Sequence, residues 1–150
     1  MKLNILLPLF LVLSLGSAAS YCPSTPVNET AQKAIFFEFV TKFYIKKDAK
    51  GAFTDHVDVN YTQHNPYALS GRDNAITFLT ALMPSVNISI MHAAFYNSTG
   101  WVHFRQDQTG ALPAAGVDVL HMNGSCIVEH WDVIQERPAN ATNPLAMWSP

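Results

Sequence analysis

Two carboxylates and an imidazole flank a single turn signal. Asp118 stands in Val117-Asp118-Val119-Leu120, ahead of Asn123-Gly124, and His130 and Asp132 stand in Glu129-His130-Trp131-Asp132 behind it. If these runs form a hairpin, the three side chains can meet on one face. Burial raises a carboxylate pKa and a neighbouring imidazolium lowers it, so such a set can divide into base and acid near neutral pH. One carboxylate would then abstract a proton α to a carbonyl, and His130 would protonate the developing oxygen. The alternative is that Asp118 and His130 only hydrogen-bond one another and nearby backbone. His64, in Gln63-His64-Asn65-Pro66, is a further candidate that could orient a ligand carbonyl or serve as a second acid at a pocket mouth. A structural turn role competes with it. Tyr61, Gln63, Trp131 and the phenylalanines of the first helix are candidate ligand-binding residues.

Other chemistries find less support. Six histidines include no His-x-His or His-x-x-x-His pair. Only His130-x-Asp132 has spacing suited to ligands on a strand, so no metal is expected. Neither a Gly-x-Ser-x-Gly elbow nor a glycine-rich phosphate loop occurs, and no cofactor is expected. Arg105-Gln106-Asp107 reads as a solvated charge pair at a strand end.

Whether the acid–base set assembles depends on hairpin register. A glycine-bulged turn over Met122-Asn123-Gly124 pairs His121 with Ser125 and Asp118 with Val128. Asp118, Val128, His130 and Asp132 then share one face, and Val119, Ile127, Glu129 and Trp131 the other. A two-residue turn shifts the pairing by one and sets Asp118 beside Glu129 and Trp131. The bulged turn is preferred because it gives glycine the left-handed position.

The elements around the hairpin follow from periodicity. Thr25-Pro26 reads as an N-cap with proline in the first turn, followed by a helix to about Lys47 with apolar residues at Ala31, Ile35, Phe39 and Phe43 and Phe36, Val40 and Tyr44 beside them. Asp48 caps a short helix over Ala49 to His56. Val57 to Tyr61 is extended. A third helix opens near Ser70-Gly71-Arg72-Asp73 and ends at Met83-Pro84. Strands follow over Val86 to Phe95, Trp101 to Gln106, Val117 to His121 and Ile127 to Gln135, and 137–150 reads as a tail. Helices first and antiparallel strands later make an α+β fold with helices on one face of a curved sheet.

The chain of 150 residues suits one domain, and 49% hydrophobic with 13% charged residues excludes disorder. Net charge is −2 and only three of nine cations are arginine, so a nucleic-acid surface is not expected. Lys2, an apolar run from Ile5 to Leu15 and the small residues Gly16-Ser17-Ala18-Ala19 have the layout of a secretory signal peptide over 1–19. The run is too short to span a bilayer, and no membrane association is expected after its removal. Six of the nine asparagines after it (Asn28, Asn60, Asn87, Asn97, Asn123 and Asn140) sit in glycosylation sequons, where chance supplies about one. Cys22 and Cys126 are the only cysteines. In an oxidising compartment they favour one disulfide, the alternative being two free thiols.

Tyr61-Thr62-Gln63-His64-Asn65-Pro66 followed by Gly71 and a helix is one half of a recognisable pattern. Val117 to Leu120, Asn123-Gly124 and Ile127 to Gln135 are the other. Together they resemble the SnoaL-like family of the nuclear transport factor 2-like superfamily, over roughly Glu29 to Glu136. The resemblance implies a SnoaL-like domain over 20–136. It would be a cone of three helices on a bent antiparallel sheet around an apolar pocket, with members that dimerise through the sheet. It also implies cofactor-free acid–base chemistry of the cyclase, isomerase or hydratase type on a small apolar molecule, with polyketide cyclases, ketosteroid isomerase and small epoxide hydrolases as relatives. A secreted binding module with the same pocket and no catalysis is the alternative.

Overall fold

Residues 20–149 are described by the computed structural model, so the expected leader lies outside the described residues. The first helix, α1 (Glu29–Val40), begins three residues later than Thr25-Pro26 suggests. Asn28 is its cap, its side chain accepting from the Ala31 amide, with Glu29 at the positive helix end. Thr25 is used elsewhere: its amide donates to Ser125 Oγ and its carbonyl accepts from the Ser125 amide. The helix continues as one π-helical turn, Thr41–Ile45. Helix α2 (Ala49–His56) is capped by Asp48 as its sequence requires. Strand β1 (Val57–Gln63) and helix α3 (Arg72–Leu82) follow, and Pro84 lies in a 3₁₀ turn that closes α3.

Four strands complete the chain: β2 (Val86–Tyr96), β3 (Thr99–Gln108), β4 (Ala114–Asn123) and β5 (Cys126–Glu136). One five-stranded sheet results, in the order β1-β5-β4-β3-β2. Its pairings are antiparallel except that β1 lies parallel to β5. This is the expected α+β arrangement of three helices on a mostly antiparallel sheet. The phenylalanines of α1 and its π turn, with Phe53 of α2, pack between the helices and the sheet's inner face around Val57, Val102, Phe104, Leu120 and Met122. Among the described residues no helix is long and apolar enough to cross a membrane.

The β4–β5 register corrects the expected turn. Asn123 pairs with Cys126, so the loop is the two residues Gly124-Ser125, with positive φ at Gly124. That places glycine at the first central position, which II′ turns require. A bulge follows: Met122 pairs with Ile127 but His121 pairs with Glu129, leaving Val128 extra. Because an extra residue reverses alternation, Ile127 enters the core rather than facing outward with Glu129. Beyond the bulge Asp118 pairs with Asp132 and Leu120 with His130. The expected face grouping of Asp118, His130 and Asp132 survives, because the register differs from the expected one by an even number of residues.

Cys22 and Cys126 form a disulfide, with Cα atoms 5.4 Å apart. It fastens the segment ahead of α1 along the hairpin turn, where Ser125 Oγ donates to the Tyr21 carbonyl and Ser24 Oγ donates to that of Asn123. The segment after Glu136 has no helix or strand among the described residues, yet it is not loose from the sheet. Arg137 N donates to the Pro113 carbonyl, and Trp148 covers the Arg105 guanidinium at 4.5 Å. Arg105 also grips Asp107 with two hydrogen bonds.

Candidate active site

A cavity of about 190 Å³ lies between the helices and the sheet's inner face. Its walls are mostly apolar: Phe39, Phe43, Phe53 and Phe104 on one part, Leu79, Leu82 and Ile88 on another. Asp118, His130 and Asp132 reach it from β4 and β5, Tyr61 and Gln63 from β1, and Tyr44 from the π turn. Strand alternation explains the first three, since residues two apart on one strand, and paired residues on neighbouring strands, point the same way.

Asp118 and His130 are both buried. Asp118 Oδ1 lies 3.3 Å from His130 Nε2, and Asp118 Oδ2 accepts from the Tyr44 hydroxyl. His130 Nδ1 lies 2.8 Å from Gln63 Oε1. The amide orientation of Gln63 is set by its surroundings: Oε1 also accepts from the Asn65 backbone N–H at 2.9 Å, and Nε2 donates to the Tyr61 hydroxyl at 3.3 Å. His130 thus has an amide oxygen at Nδ1 and the Asp118 carboxylate near Nε2. Asp132 is half-buried, and its Oδ2 accepts from the Asn65 side-chain amide. The Tyr61 ring is nearly parallel to that of His130 at 6.4 Å.

Burial is the main cause holding the Tyr44 phenol well above its ordinary pKa, and the neighbouring Asp118 carboxylate adds to it. Burial and then the charges of Asp118 and Asp132 do the same to Tyr61. Both stay neutral at working pH and offer hydroxyls rather than charge. Asp118, His130 and Asp132 each present a ligand atom, all within 4.8 Å of one another. One imidazole and two carboxylates could take a divalent cation. Here Asp118 already holds Tyr44 and His130, so an ion would have to displace that contact. Sequence spacing showed only two members of this donor set; the hairpin adds the third.

Two expected residues lie elsewhere. His64 is beyond the end of β1 on the opposite side from Tyr61 and Gln63; it bonds Glu129 Oε1 at 2.7 Å and stacks on Trp131 with ring centroids 4.9 Å apart. Alternation sends residues 61, 63 and 65 inward and 64 outward, and likewise sends Trp131 outward between His130 and Asp132. Neither lines the cavity. The two side chains that bond the carboxylates, Tyr44 on Asp118 and Asn65 on Asp132, escaped the sequence reading. Tyr44 looked like one more member of the apolar stripe. Asn65 looked like part of a turn, although its two-residue spacing from Tyr61 and Gln63 was the available signal.

No family model matches the chain, and no curated protein matches it. Solved structures do. An NTF2-like protein of unknown function from Mesorhizobium loti is 13% identical, with 74% of this chain and 97% of that one covered at a TM-score of 0.62. A provisionally assigned ketosteroid isomerase from Kribbella flavida is 13% identical, covering 81% and 92% at 0.62. A provisionally assigned SnoaL-like polyketide cyclase from Jannaschia is 12% identical, covering 71% and 86% at 0.56. The chain has the nuclear transport factor 2-like fold that SnoaL-like proteins share. At these identities the likeness speaks for the fold alone, and fold does not determine function.

Proposed function

We propose that the chain is a secreted, cofactor-independent acid–base enzyme of the cyclase, isomerase or hydratase type acting on a small, largely apolar molecule. The observation that carries this is the convergence of Asp118, His130 and Asp132 on an apolar cavity. Their bonding assigns the roles. Asp118 has both oxygens engaged, by Tyr44 and His130, whereas Asp132 is held by Asn65 through one oxygen. Asp132 is therefore the base, taking a proton from the carbon α to a substrate carbonyl. Electron density moves onto the carbonyl oxygen, and His130 supplies the proton there from Nε2, which gives up its longer contact with Asp118 while Gln63 holds Nδ1. The neutral Tyr61 hydroxyl lies beside this pair and can donate to the same oxygen.

The test is turnover of a carbonyl compound found by incubating purified protein with a metabolite pool. Asp132→Asn and Asp118→Asn should each reduce it by about 10²–10⁴. Unchanged turnover in Asp132→Asn rejects Asp132 as the base, and unchanged turnover in both variants rejects the acid–base set. A non-catalytic binding module is favoured by one feature, the closed bonding set around Asp118. Native mass spectrometry of protein from its own medium separates the two: a retained unaltered ligand supports binding, a converted one catalysis.

Secretion is supported by the leader layout, by the disulfide and by the exposure of all six sequon asparagines. Asn60 and Asn87 lie on the two edge strands, β1 and β2, where glycans would block edge-to-edge pairing. A mass shift on N-glycosidase treatment would bear this out, and its absence in protein from a eukaryotic host would count against it. The outer sheet face exposes Trp101, Val117, Trp131 and Val133. A second copy of the chain is the proposed occupant.

A further inference from the structure

We infer that the cavity takes an organic cation, a protonated amine carried on a single ring or an apolar body of similar size. The inference rests on the cavity being the ligand site, as proposed above; an ammonium on Asp132 occupies the oxygen assigned there to proton abstraction, so the amine is bound and not turned over. Charge is the first observation. Among the described residues lining the cavity are two aspartates and one histidine, and no lysine or arginine. The formal charge of the lining is thus −2, or −1 with His130 as imidazolium.

The second observation is that the two carboxylates differ in their partners. Asp118 is matched by the His130 ring and the Tyr44 hydroxyl. Asp132 is met by the neutral amide of Asn65, and among the described residues no cation pairs with it. A carboxylate beside an apolar cavity and lacking a cation is the place where an ammonium is best received. An anionic ligand would be desolvated against like charge, the most unfavourable arrangement. A neutral ligand would fill the walls and leave Asp132 as it is.

The third observation is what the walls are made of. Phe39, Phe43, Phe53, Phe104 and Tyr61 present rings to the cavity, and ring faces attract cations as well as apolar groups. Size then bounds the ligand. An apolar cavity of about 150 Å³ holds a benzene ring, so about 190 Å³ suits one ring with a short arm and not a fused polycycle.

Calorimetric titration of the EDTA-treated protein at pH 7 and low salt, with 2-phenylethylamine, 2-phenylethanol and phenylacetate, tests this. The amine should bind at least tenfold more tightly than the alcohol, and phenylacetate most weakly. Asp132→Asn should bring the amine down to about the affinity of the alcohol in the same variant. Equal wild-type affinities for amine and alcohol would overturn the inference while leaving the cavity as a ligand site. Binding of none of the three would overturn both. An amine preference that persists in Asp132→Asn would also overturn it, because the cation would then be held elsewhere. The wild-type comparison decides the matter even if the variant does not fold.

Discussion

At the scale of single residues, the site depends on hydroxyls that stay protonated. Tyr44 is buried and donates to Asp118. Tyr44→Phe removes that donor and leaves a buried carboxylate oxygen without it, which should lower stability by about 1–3 kcal/mol in urea unfolding. A change within error would mean water replaces the phenol. The same environment predicts an alkaline limit. Tyr44 and Tyr61 are raised above the ordinary phenol value by burial first and by Asp118 next, and Tyr21 by its hydrogen bond to Glu38 first. A raised folded pKa gives stability that is whole below the unfolded value near 10 and is lost as pH rises through the folded one. Absorbance titration should therefore show fewer than the five tyrosines ionising before the fold is lost. Five phenolates appearing in the native state would contradict the buried placement.

At the scale of elements, α2 and the strap ahead of α1 meet in a charged cluster. Lys42 pairs with Asp55 at 2.7 Å and with Glu38 at 3.1 Å, and Tyr21 donates to Glu38 at 2.5 Å. His56 is fully buried beneath it and donates through Nδ1 to the Ala52 carbonyl. Desolvation is the main reason its pKa lies below the ordinary 6.5. The unfolded chain then binds the proton more readily, so stability is whole above pH about 6.5 and declines as pH falls toward the folded value. The urea midpoint should drop between pH 7.5 and 5.5, and His56→Gln should flatten that slope. An identical slope in both proteins would exclude His56 as the cause. The sheet has its own sensitive point at Gly116, where an added Cβ would lie 2.2 Å from Phe104 Cζ. Phe104 is buried in the core beside the cavity, so Gly116→Ala forces the ring to move and should destabilise by about 1–3 kcal/mol.

At the scale of the whole molecule, one covalent link joins the start of the fold to its final hairpin. Cys22 and Cys126 are separated by 104 positions. Closing so long a loop restricts the unfolded chain by up to about 4–5 kcal/mol. Reduction should lower the melting temperature clearly, and an unchanged transition would show that the strap's hydrogen bonds suffice. The proposed self-association belongs to this scale too. Val133→Glu, on the exposed outer face, should leave the fold intact and shift a dimer to monomer in sedimentation. A wild-type monomer at all concentrations would dismiss that occupant.

Much of this was legible in the sequence because it is local. Asp48 announced α2, alternation placed His130 and Asp132 on one face of β5, and an even pair of cysteines pointed to the bridge. The same alternation, followed through 61, 63 and 65, would have sent His64 outward and Asn65 inward. Other features are decided by packing between distant segments. The Gly124-Ser125 turn and the Val128 bulge together let Ile127 enter the core while His130 still faces the cavity, and no local propensity distinguishes that register from its neighbours. Thr25 gave up the helix cap because the hairpin turn claimed its backbone. Tyr44 became a partner of Asp118 only because a π turn and a strand 74 positions later converge, a contact set by tertiary structure, where side-chain burial outweighs sequence distance.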